Sequence, residues 1–143
     1  PSSIRAITNL IDDGVYKDEQ LYIELFLGDA REYIKKFHHK FDVVYQDAFS
    51  PTSNPILWTY EYFKDIKELL KDDGILTTYS ISLPTRIALC GNNFYIYLNE
   101  KDGIRTSTIA SLKPLQNLEL VDIKHKMQCN PNICSLRDMD IKK

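Results

Sequence analysis

Two carboxylates in this sequence each follow a stretch whose composition is typical of a β-strand. Asp47 lies two residues beyond the run 41–45, and Asp29 lies two residues beyond 21–27, a run of mainly apolar and aromatic side chains. Short apolar runs of this kind predict strands, and the 41–45 run predicts a buried one. Ligands of open α/β sheets bind just outside the carboxyl ends of the strands. We therefore take both carboxylates as candidate site residues; the alternative for Asp47 is that it only caps a turn.

The segment after Asp47 is predicted to be an ordered loop without repetitive structure. Pro51 and Pro55 lie four residues apart and enclose small polar residues. Prolines restrict the backbone and do not continue a strand. Phe49 lies in this loop, where its ring would either wall a binding pocket or pack into the core. A carboxylate, an aromatic ring and a rigid loop at one strand end predict a binding site.

Length and charge limit the classes of function. The chain has 143 residues, enough for one domain with a hydrophobic core. Its 18 basic and 20 acidic residues give a net charge of −2, so there is no global basic signal for nucleic acid. Any RNA-binding surface must therefore be a local patch. No apolar run approaches the length of about 18 residues that a membrane span needs.

The cysteine and histidine patterns do not favour a metal site. The three cysteines, Cys90, Cys129 and Cys134, are too few for a disulfide framework. Cys129 and Cys134 have no second pair that would complete a zinc site. The adjacent His38 and His39 have no further ligands nearby in sequence, and a solvated loop is expected there. We expect reduced thiols, a cytoplasmic protein and no metal.

Helical and strand patterns alternate along the chain. Helices are predicted at 4–13, 31–37, 55–71 and 83–90, and strands at 21–27, 41–45, 75–79, 94–98 and 106–110. Alternation of this kind predicts an α/β fold with a mainly parallel sheet, and the last two strands predict a closing antiparallel hairpin. Residues 112–143 are expected to form an irregular tail packed on the domain. Asp29 is also suited to cap the helix at 31–37.

Several longer motifs extend over most of the chain. They are L-G-D-A-R (27–31), F-D-V-V-Y-Q-D-A-F-S-P (41–51), N-P-x-L-W-T (54–59), G-I-L-T-T-Y-S (74–80), R-T-S-T-I-A-S (105–111) and S-L-R-D (135–138). With these motifs the sequence resembles the MnmC-type tRNA methyltransferases, a family of class I S-adenosylmethionine-dependent enzymes with a Rossmann-like sheet. The resemblance implies formation of the 5-methylaminomethyl group on wobble uridine, often 2-thiolated, in the tRNA anticodon.

The resemblance also implies that part of the family's domain is absent from this sequence. The five glycines never occur as G-x-G, so the family's cofactor-binding glycine loop is missing, as are its ribose-binding acidic residue and the oxidase domain sometimes fused to it. We expect the first two strands of a partial Rossmann-like sheet to lie upstream of Pro1. Residues 1–143 would then form the C-terminal part of a single methyltransferase domain. An upstream segment or a second copy of the chain would complete the sheet.

The resemblance assigns roles to individual residues. Asp47 is the catalytic candidate, because a carboxylate at this strand end can orient an amine and favour loss of its proton. The cofactor would be held by Asp29, Ala30, Asp47, Ala48 and Phe49. The substrate would be held by Phe49, Pro51, Asn54, Tyr79, Ser80, Arg86 and Arg105.

Each assignment has a plainer alternative. Asn54 is more simply a helix cap, and Trp58 a core residue. Arg86 and Arg105, with Lys101 and Lys113, form either a basic surface for the anticodon stem or a solvated face. Ile104, directly before the R-T-S-T-I-A-S motif, stands where the family often has lysine, so one basic contact is missing there.

Two other functions stay open at this point. The chain is also compatible with another amine-alkylating enzyme of the same fold, similar to an aminopropyltransferase, although the segment 54–58 disfavours that assignment. A non-catalytic half-domain is the second alternative, because the cofactor loop is not in the sequence.

Overall fold

The computed structural model describes residues 2–101 and 103–141. The chain divides into two compact units, one up to Tyr33 and one from Ile34 onward. They are described one after the other.

The first unit begins with a helix and a short hairpin. Helix α1 (Ser2–Asp13) ends at Gly14, whose φ of +72° lies in the left-handed region that favours glycine. Strand β1 (Val15–Lys17) then pairs antiparallel with β2 (Tyr22–Glu24). The sequence predicted one strand over 21–27, and this is wrong at both ends. The partner strand β1 begins only at Val15, which pairs with Glu24, so the ladder ends there.

Helix α2 (Ala30–Ile34) follows the hairpin and is shorter than predicted. The Asp29 carboxylate accepts hydrogen bonds from the backbone N–H groups of Arg31 at 2.9 Å and Glu32 at 3.4 Å. These contacts satisfy two of the N–H groups that a helix N-terminus leaves free. The predicted cap at Asp29 is therefore confirmed.

The second unit contains a five-stranded sheet. Its strands are β3 (Phe41–Gln46), β4 (Leu70–Thr78), β5 (Tyr95–Lys101), β6 (Ile104–Ser111) and β7 (Glu119–Leu120), in the spatial order β3-β4-β6-β5-β7. The pair β3–β4 is parallel, and the other three pairs are antiparallel. The α/β class and the closing β5–β6 hairpin are confirmed, although Asp102 in its turn lies outside the described residues. Within the described chain, the parallel part of the sheet is β3–β4 alone.

The helix predicted over 55–71 is two elements. A 3-10 turn (Pro55–Leu57) comes first, and helix α3 (Tyr60–Leu69) begins after it. The break occurs because the buried Thr59 hydroxyl accepts the backbone N–H of Tyr62 at 3.1 Å and so caps a new helix. At the other end, Leu70 already belongs to β4.

The remaining helices are α4 (Leu83–Gly91), α5 (Ile123–Cys129) and a 3-10 turn (Asp138–Asp140). The α4 helix begins as predicted, with Ser82 as its cap and Pro84 in its first turn. No helix in the described residues has both the length and the hydropathy needed to cross a membrane.

The core is formed by apolar side chains of α3, α4 and the sheet. Its fully buried members include Trp58, Phe63, Ile66, Leu70, Leu76, Leu89 and Ile96. The core fixes the positions of the strand ends, from which the candidate site loops emerge.

Strand β3 is less buried than its composition predicted. The exposed fractions of Val43 and Tyr45 are 39% and 80%. Side chains alternate between the two faces of a strand. Phe41 and Val44 pack against the core of this unit, whereas Val43 and Tyr45 are exposed.

The C-terminal segment is not the irregular tail that the sequence predicted. Strand β7 pairs with β5 through Leu120 and Tyr97. Helix α5 is capped by Asp122, whose carboxylate accepts the backbone N–H of His125 at 2.9 Å. Strand pairing and a local cap thus give regular structure to a segment that has weak hydrophobic periodicity.

Glu61 anchors the end of this segment to α3. One carboxylate oxygen of Glu61 accepts a hydrogen bond from the Arg137 guanidinium at 2.7 Å, and the other accepts the backbone N–H of Asp138 at 3.0 Å. Burial acts to raise the pKa of Glu61, but the backbone hydrogen bonds and Arg137 outweigh it and hold the pKa below its ordinary value.

We expect Glu61→Gln to lower the free energy of unfolding by about 1 kcal/mol at pH 7, because a charge-assisted pair near the surface is weakened. A lowered pKa in the folded state stabilises the protein above the pKa of unfolded glutamate, and this contribution is lost as pH falls through the folded-state pKa. The difference between the two proteins should therefore shrink as the pH falls below the ordinary pKa of glutamate, about 4.3, and vanish once Glu61 is protonated in the folded protein. Urea unfolding measured from pH 7 to pH 3 checks this, with Glu68→Gln, on the exposed side of α3, as the matched control. An unchanged difference at all pH values would contradict it.

Candidate functional site

The parallel pairing of β3 and β4 brings two chain segments to one edge of the sheet, which here means the side formed by the carboxyl ends of these two strands. Gln46 and Thr78, the last residues of the two strands, are paired in register. The segment 47–54, here called the Asp47 loop, and the segment 79–82, the Ser80 loop, therefore leave the sheet side by side. This is the edge at which open α/β sheets bind ligands.

The Asp47 loop is fixed by two hydrogen bonds to its carbonyl groups. The indole N–H of Trp58 donates to the Phe49 carbonyl at 2.7 Å, and the Tyr79 hydroxyl donates to the Ala48 carbonyl at 3.1 Å. The two donor rings pack edge to face, with their centroids 5.8 Å apart. Trp58 is 1% exposed. The predicted order of the loop is confirmed, and Trp58 is a core residue that also holds the loop.

The side chains of Asp47 and Phe49 are exposed. Within the described chain, the Asp47 carboxylate has no hydrogen bond or ion pair, so it caps no turn there. Phe49 is 80% exposed, and the alternative that it plugs the core is wrong. Both side chains are accessible to a ligand at this edge.

Two further loop residues were assigned to the substrate. Pro51 is exposed at the turn of the loop. Asn54 precedes the 3-10 turn, but its side chain makes no capping hydrogen bond, so the capping alternative is wrong. Pro55, the first residue of that turn, has no N–H group to be capped. The Asn54 amide stays available for another partner.

The Ser80 loop is held by hydroxyl groups. The Ser80 hydroxyl lies within hydrogen-bond distance of the hydroxyl groups of Ser82, at 3.3 Å, and Thr85, at 3.4 Å, and the Thr108 hydroxyl donates to the Ser80 carbonyl at 2.7 Å. Ser80 is buried, and the hydroxyl of the half-buried Tyr79 is engaged by Ala48. Direct recognition of a substrate by these two hydroxyl groups thus gains no support from the geometry, which gives both a role in holding the loops.

Arg86 does not lie on the basic surface to which the sequence assigned it. Its exposed fraction is 6%, and its Nε group donates to the Thr108 hydroxyl at 3.0 Å. Burial lowers the pKa of the guanidinium, partly opposed by the charge of Glu100. The assignment was wrong because the residue lies on the inner face of α4, toward the sheet.

The other basic candidates are divided between the two edges of the sheet. Lys101 and Arg105 are exposed at the β5–β6 hairpin, beyond Thr108, which pairs with the last residue of β4. They are therefore at the same edge as the two loops. Lys113 follows Ser111, which pairs with Ile75, on the side of β4 away from its carboxyl end, and so lies at the opposite edge. Lys113 cannot join a basic patch there.

Asp29 and Ala30 belong to the first unit. One oxygen of the exposed Asp29 carboxylate caps α2, and the other accepts no hydrogen bond within the described chain. A free carboxylate oxygen beside the Ala30 backbone N–H is a donor–acceptor pair that fits the amino group and ring nitrogen of adenine. Capping and adenine binding are thus compatible at this residue.

No group of three or more His, Cys, Asp or Glu side chains that could hold a metal occurs among the described residues. All three cysteines are free thiols, and burial raises the pKa of Cys90.

Sequence reasoning missed the two residues that tie the loops to the core. Thr108 lies in the R-T-S-T motif, and its inward position follows from strand alternation once β6 is placed. Gln46 donates from its side chain to the Leu57 carbonyl at 2.8 Å and is buried. Neither role can be read from local pattern. Arg86 and Ser80, the partners of Thr108, are distant in sequence. Leu57, the partner of Gln46, lies in the 3-10 turn, where a continuous helix was predicted.

We expect the donors of the Asp47 loop to contribute measurably to stability. Tyr79→Phe removes one hydrogen bond and should cost about 1 kcal/mol, and Trp58→Phe, which also leaves a small void, about 2 kcal/mol. Urea unfolding followed by circular dichroism measures both. Tyr45→Phe is the matched control, because that hydroxyl is exposed and makes no hydrogen bond in the described chain. If all three variants unfold alike, the loop is not held in this way.

Comparison with known proteins places the chain in a family. Residues 6–114 match the family model described as S-adenosyl-L-methionine-dependent methyltransferase. The crystal structure of MNMC2 from Aquifex aeolicus superposes with a TM-score of 0.79 at 35% sequence identity, covering 96% of this chain and 46% of that one.

Two curated proteins are similar over shorter stretches. An uncharacterized protein of Methanocaldococcus jannaschii is 40% identical over 102 residues, which are 69% of this chain and 28% of that protein. The tRNA 5-methylaminomethyl-2-thiouridine biosynthesis bifunctional protein MnmC of Burkholderia vietnamiensis is 32% identical over 79 residues, 55% of this chain and 12% of that protein. The chain thus spans under half the length of the proteins it matches. With the family model covering most of its length, the chain belongs to the S-adenosyl-L-methionine-dependent methyltransferases of the MnmC type.

Proposed function

We propose that this chain takes part in methyl transfer from S-adenosylmethionine to the amine of a 5-aminomethyl group on the wobble uridine of tRNA, 2-thiolated or not, in the cytoplasm. The observation that carries the proposal is the Asp47 carboxylate at the carboxyl end of β3, which is exposed and has no hydrogen bond or ion pair among the described residues. The name of the Burkholderia relative, which refers to tRNA 5-methylaminomethyl-2-thiouridine biosynthesis, supports the substrate class.

Asp47 would prepare the amine for reaction. An alkyl amine is mostly protonated at neutral pH, and only its neutral form can attack. The Asp47 carboxylate would accept a hydrogen bond from the amine and favour loss of its proton. S-adenosylmethionine supplies a methyl group on a positively charged sulfur. As the nitrogen–carbon bond forms, the carbon–sulfur bond breaks, and the proton released from nitrogen passes through Asp47 to water.

The loop carbonyls held by Trp58 and Tyr79 would keep Asp47 in one place. Ala48 and Phe49 follow Asp47 directly, and both of their carbonyl groups are hydrogen-bonded. Holding a reacting group within its attack geometry can account for several kcal/mol of the reduction in barrier. The rigid loop is therefore part of the proposed mechanism.

Other residues would bind the two reactants. In the first unit, Asp29 and the Ala30 backbone are the proposed contacts of adenine. In the second unit, Asp47, Ala48 and Phe49 are proposed contacts of the cofactor. The exposed Phe49 ring offers a stacking surface for an unpaired base, with Pro51 beside it. Asn54 would meet the uracil edge. Arg105 and Lys101 would contact phosphates of the anticodon stem.

We expect Asp47→Asn to lower the rate of methyl transfer to tRNA carrying 5-aminomethyluridine by about 10²- to 10⁴-fold. The rate is compared at saturating S-adenosylmethionine, because Asp47 is also a proposed contact of the cofactor. Single-turnover transfer in the complete natural protein measures the rate. Asp42→Asn is the matched control: Asp42 lies on the same strand, is exposed and pairs with Lys71 at 2.7 Å, so its loss should leave the rate unchanged. Full activity of Asp47→Asn would refute the role of Asp47.

The cofactor role of Asp29 is separable from its capping role. Asn caps a helix about as well as Asp. Asp29→Asn should therefore leave the stability nearly unchanged but raise the Kd for S-adenosylmethionine by about tenfold, the effect of weakening a hydrogen bond to a charged group. Asp29→Ala should also lose about 1 kcal/mol of stability. Isothermal titration and urea unfolding measure the two effects. Wild-type affinity in Asp29→Asn would leave Asp29 as a cap alone.

The same assays distinguish the alternative functions. Transfer of an aminopropyl group from decarboxylated S-adenosylmethionine to a diamine, without methylation of tRNA, would assign the chain to another amine-alkylating reaction. Absence of S-adenosylmethionine binding by the complete natural protein would favour the non-catalytic alternative.

A further inference from the structure

Arg86 is a buried charge with little compensation. Its Nη2 atom is buried and has no hydrogen-bond partner among the residues that the structure describes, and its Nε group donates to the neutral hydroxyl of Thr108. Within the described chain, no carboxylate forms an ion pair with it. Buried charges are normally paired, because removing them from water costs much free energy. A methionine or leucine on this face of α4 would pack without that cost, so packing alone does not explain an arginine here.

Arg86 is connected to the Ser80 loop by two successive hydrogen bonds through Thr108, here called the relay. Thr108 accepts from Arg86 at 3.0 Å and donates to the Ser80 carbonyl at 2.7 Å. Since the same hydroxyl accepts from a cation, it is a stronger donor to the carbonyl. The backbone N–H of Arg86 also donates to the Ser82 carbonyl at 3.1 Å. The side chain and backbone of Arg86 thus both act on the Ser80 loop.

The relay continues to the neighbour of Asp47. Tyr79 precedes Ser80, and its hydroxyl donates to the carbonyl of Ala48, the residue after Asp47. A displacement of the Ser80 carbonyl would therefore be transmitted through Tyr79 to the Asp47 loop.

We infer that Arg86 is a positioning residue that fixes the Ser80 loop through Thr108 and so keeps Asp47 in place for the methyl acceptor. The inference rests on the proposed function for its catalytic consequence. It assigns Arg86 no contact with tRNA or cofactor. Its effect on loop order can be measured without activity.

Three variants of the complete natural protein test the inference. Thr108→Val removes the hydroxyl while keeping the shape of the side chain, and Thr108→Ser keeps the hydroxyl as the matched control. Arg86→Met removes the charge while keeping an apolar stem. Hydrogen exchange is measured for amides of the Ser80 loop and, as a reference for global stability, for amides of α3. The kcat for methyl transfer and the KM for each substrate are measured in parallel.

We expect Thr108→Val and Arg86→Met to raise exchange in the Ser80 loop by about tenfold or more, with α3 unchanged, since a charge-assisted hydrogen bond is lost. The kcat should fall by about 10²-fold, as expected for a misplaced reacting group, with the KM values within a few-fold of wild type. Thr108→Ser should behave as wild type.

Wild-type exchange and kcat in Thr108→Val would overturn the inference, even if Arg86→Met fails to fold. An equal rise of exchange in α3 and the Ser80 loop would also overturn it, because the role would then be general stability. If the wild-type protein transfers no methyl group, the proposed function fails, and the exchange data alone decide whether Arg86 holds the loop.

Discussion

The hydrogen bond from the Trp58 indole to the Phe49 carbonyl is the contact on which the candidate site depends most. Trp58 packs against Phe63 and Tyr79 in the core, and its one polar atom points at the loop that follows β3. The hydrophobic packing of the ring therefore sets the position of the loop backbone. Because the ring is nearly fully buried, the free energy that stabilises the core also keeps Asp47 and Phe49 at the edge of the sheet.

Buried polar side chains also hold the segments near the carboxyl ends of β3 and β4 through hydrogen bonds. Gln46 is hydrogen-bonded to Leu57 and Tyr62, and Thr108 is hydrogen-bonded to Arg86 and Ser80. Unlike apolar packing, each of these contacts is satisfied only in one geometry. The side of the sheet near the strand ends is thus more specifically defined than the apolar core alone would make it. This is the property that a site needs when it must hold two reactants in line.

The sequence predicted those parts that local signals determine. The helical pattern at 83–90 located α4, Asp29 marked the start of α2, and the β-rich run before Asp47 marked β3. The candidate edge followed, because parallel strands align their carboxyl ends. Family motifs suggested the role that we propose for Asp47.

Features that depend on distant contacts were not predictable. The apolar periodicity after Pro55 runs through Thr59, so the cap that divides the helix was invisible to it. A long charged side chain such as Arg86 is usually exposed, and only the packing of α4 on β6 shows it to be buried. The exposure of Tyr45 depends on what covers its face of β3, which the local pattern does not determine. The partner of Arg86, Thr108, lies far along the sequence, whereas the Thr59 cap is a local signal that the apolar periodicity concealed.

Trp58 is also the only tryptophan in the sequence, which has a practical consequence. The intrinsic fluorescence of the protein comes mainly from one indole, whose N–H is bonded to the candidate site loop and whose ring lies against Tyr79. Its emission should be that of an apolar, water-shielded ring, and it should respond when that loop shifts. The fold thus contains a spectroscopic reporter at the site, and binding to the loop can be followed without a label.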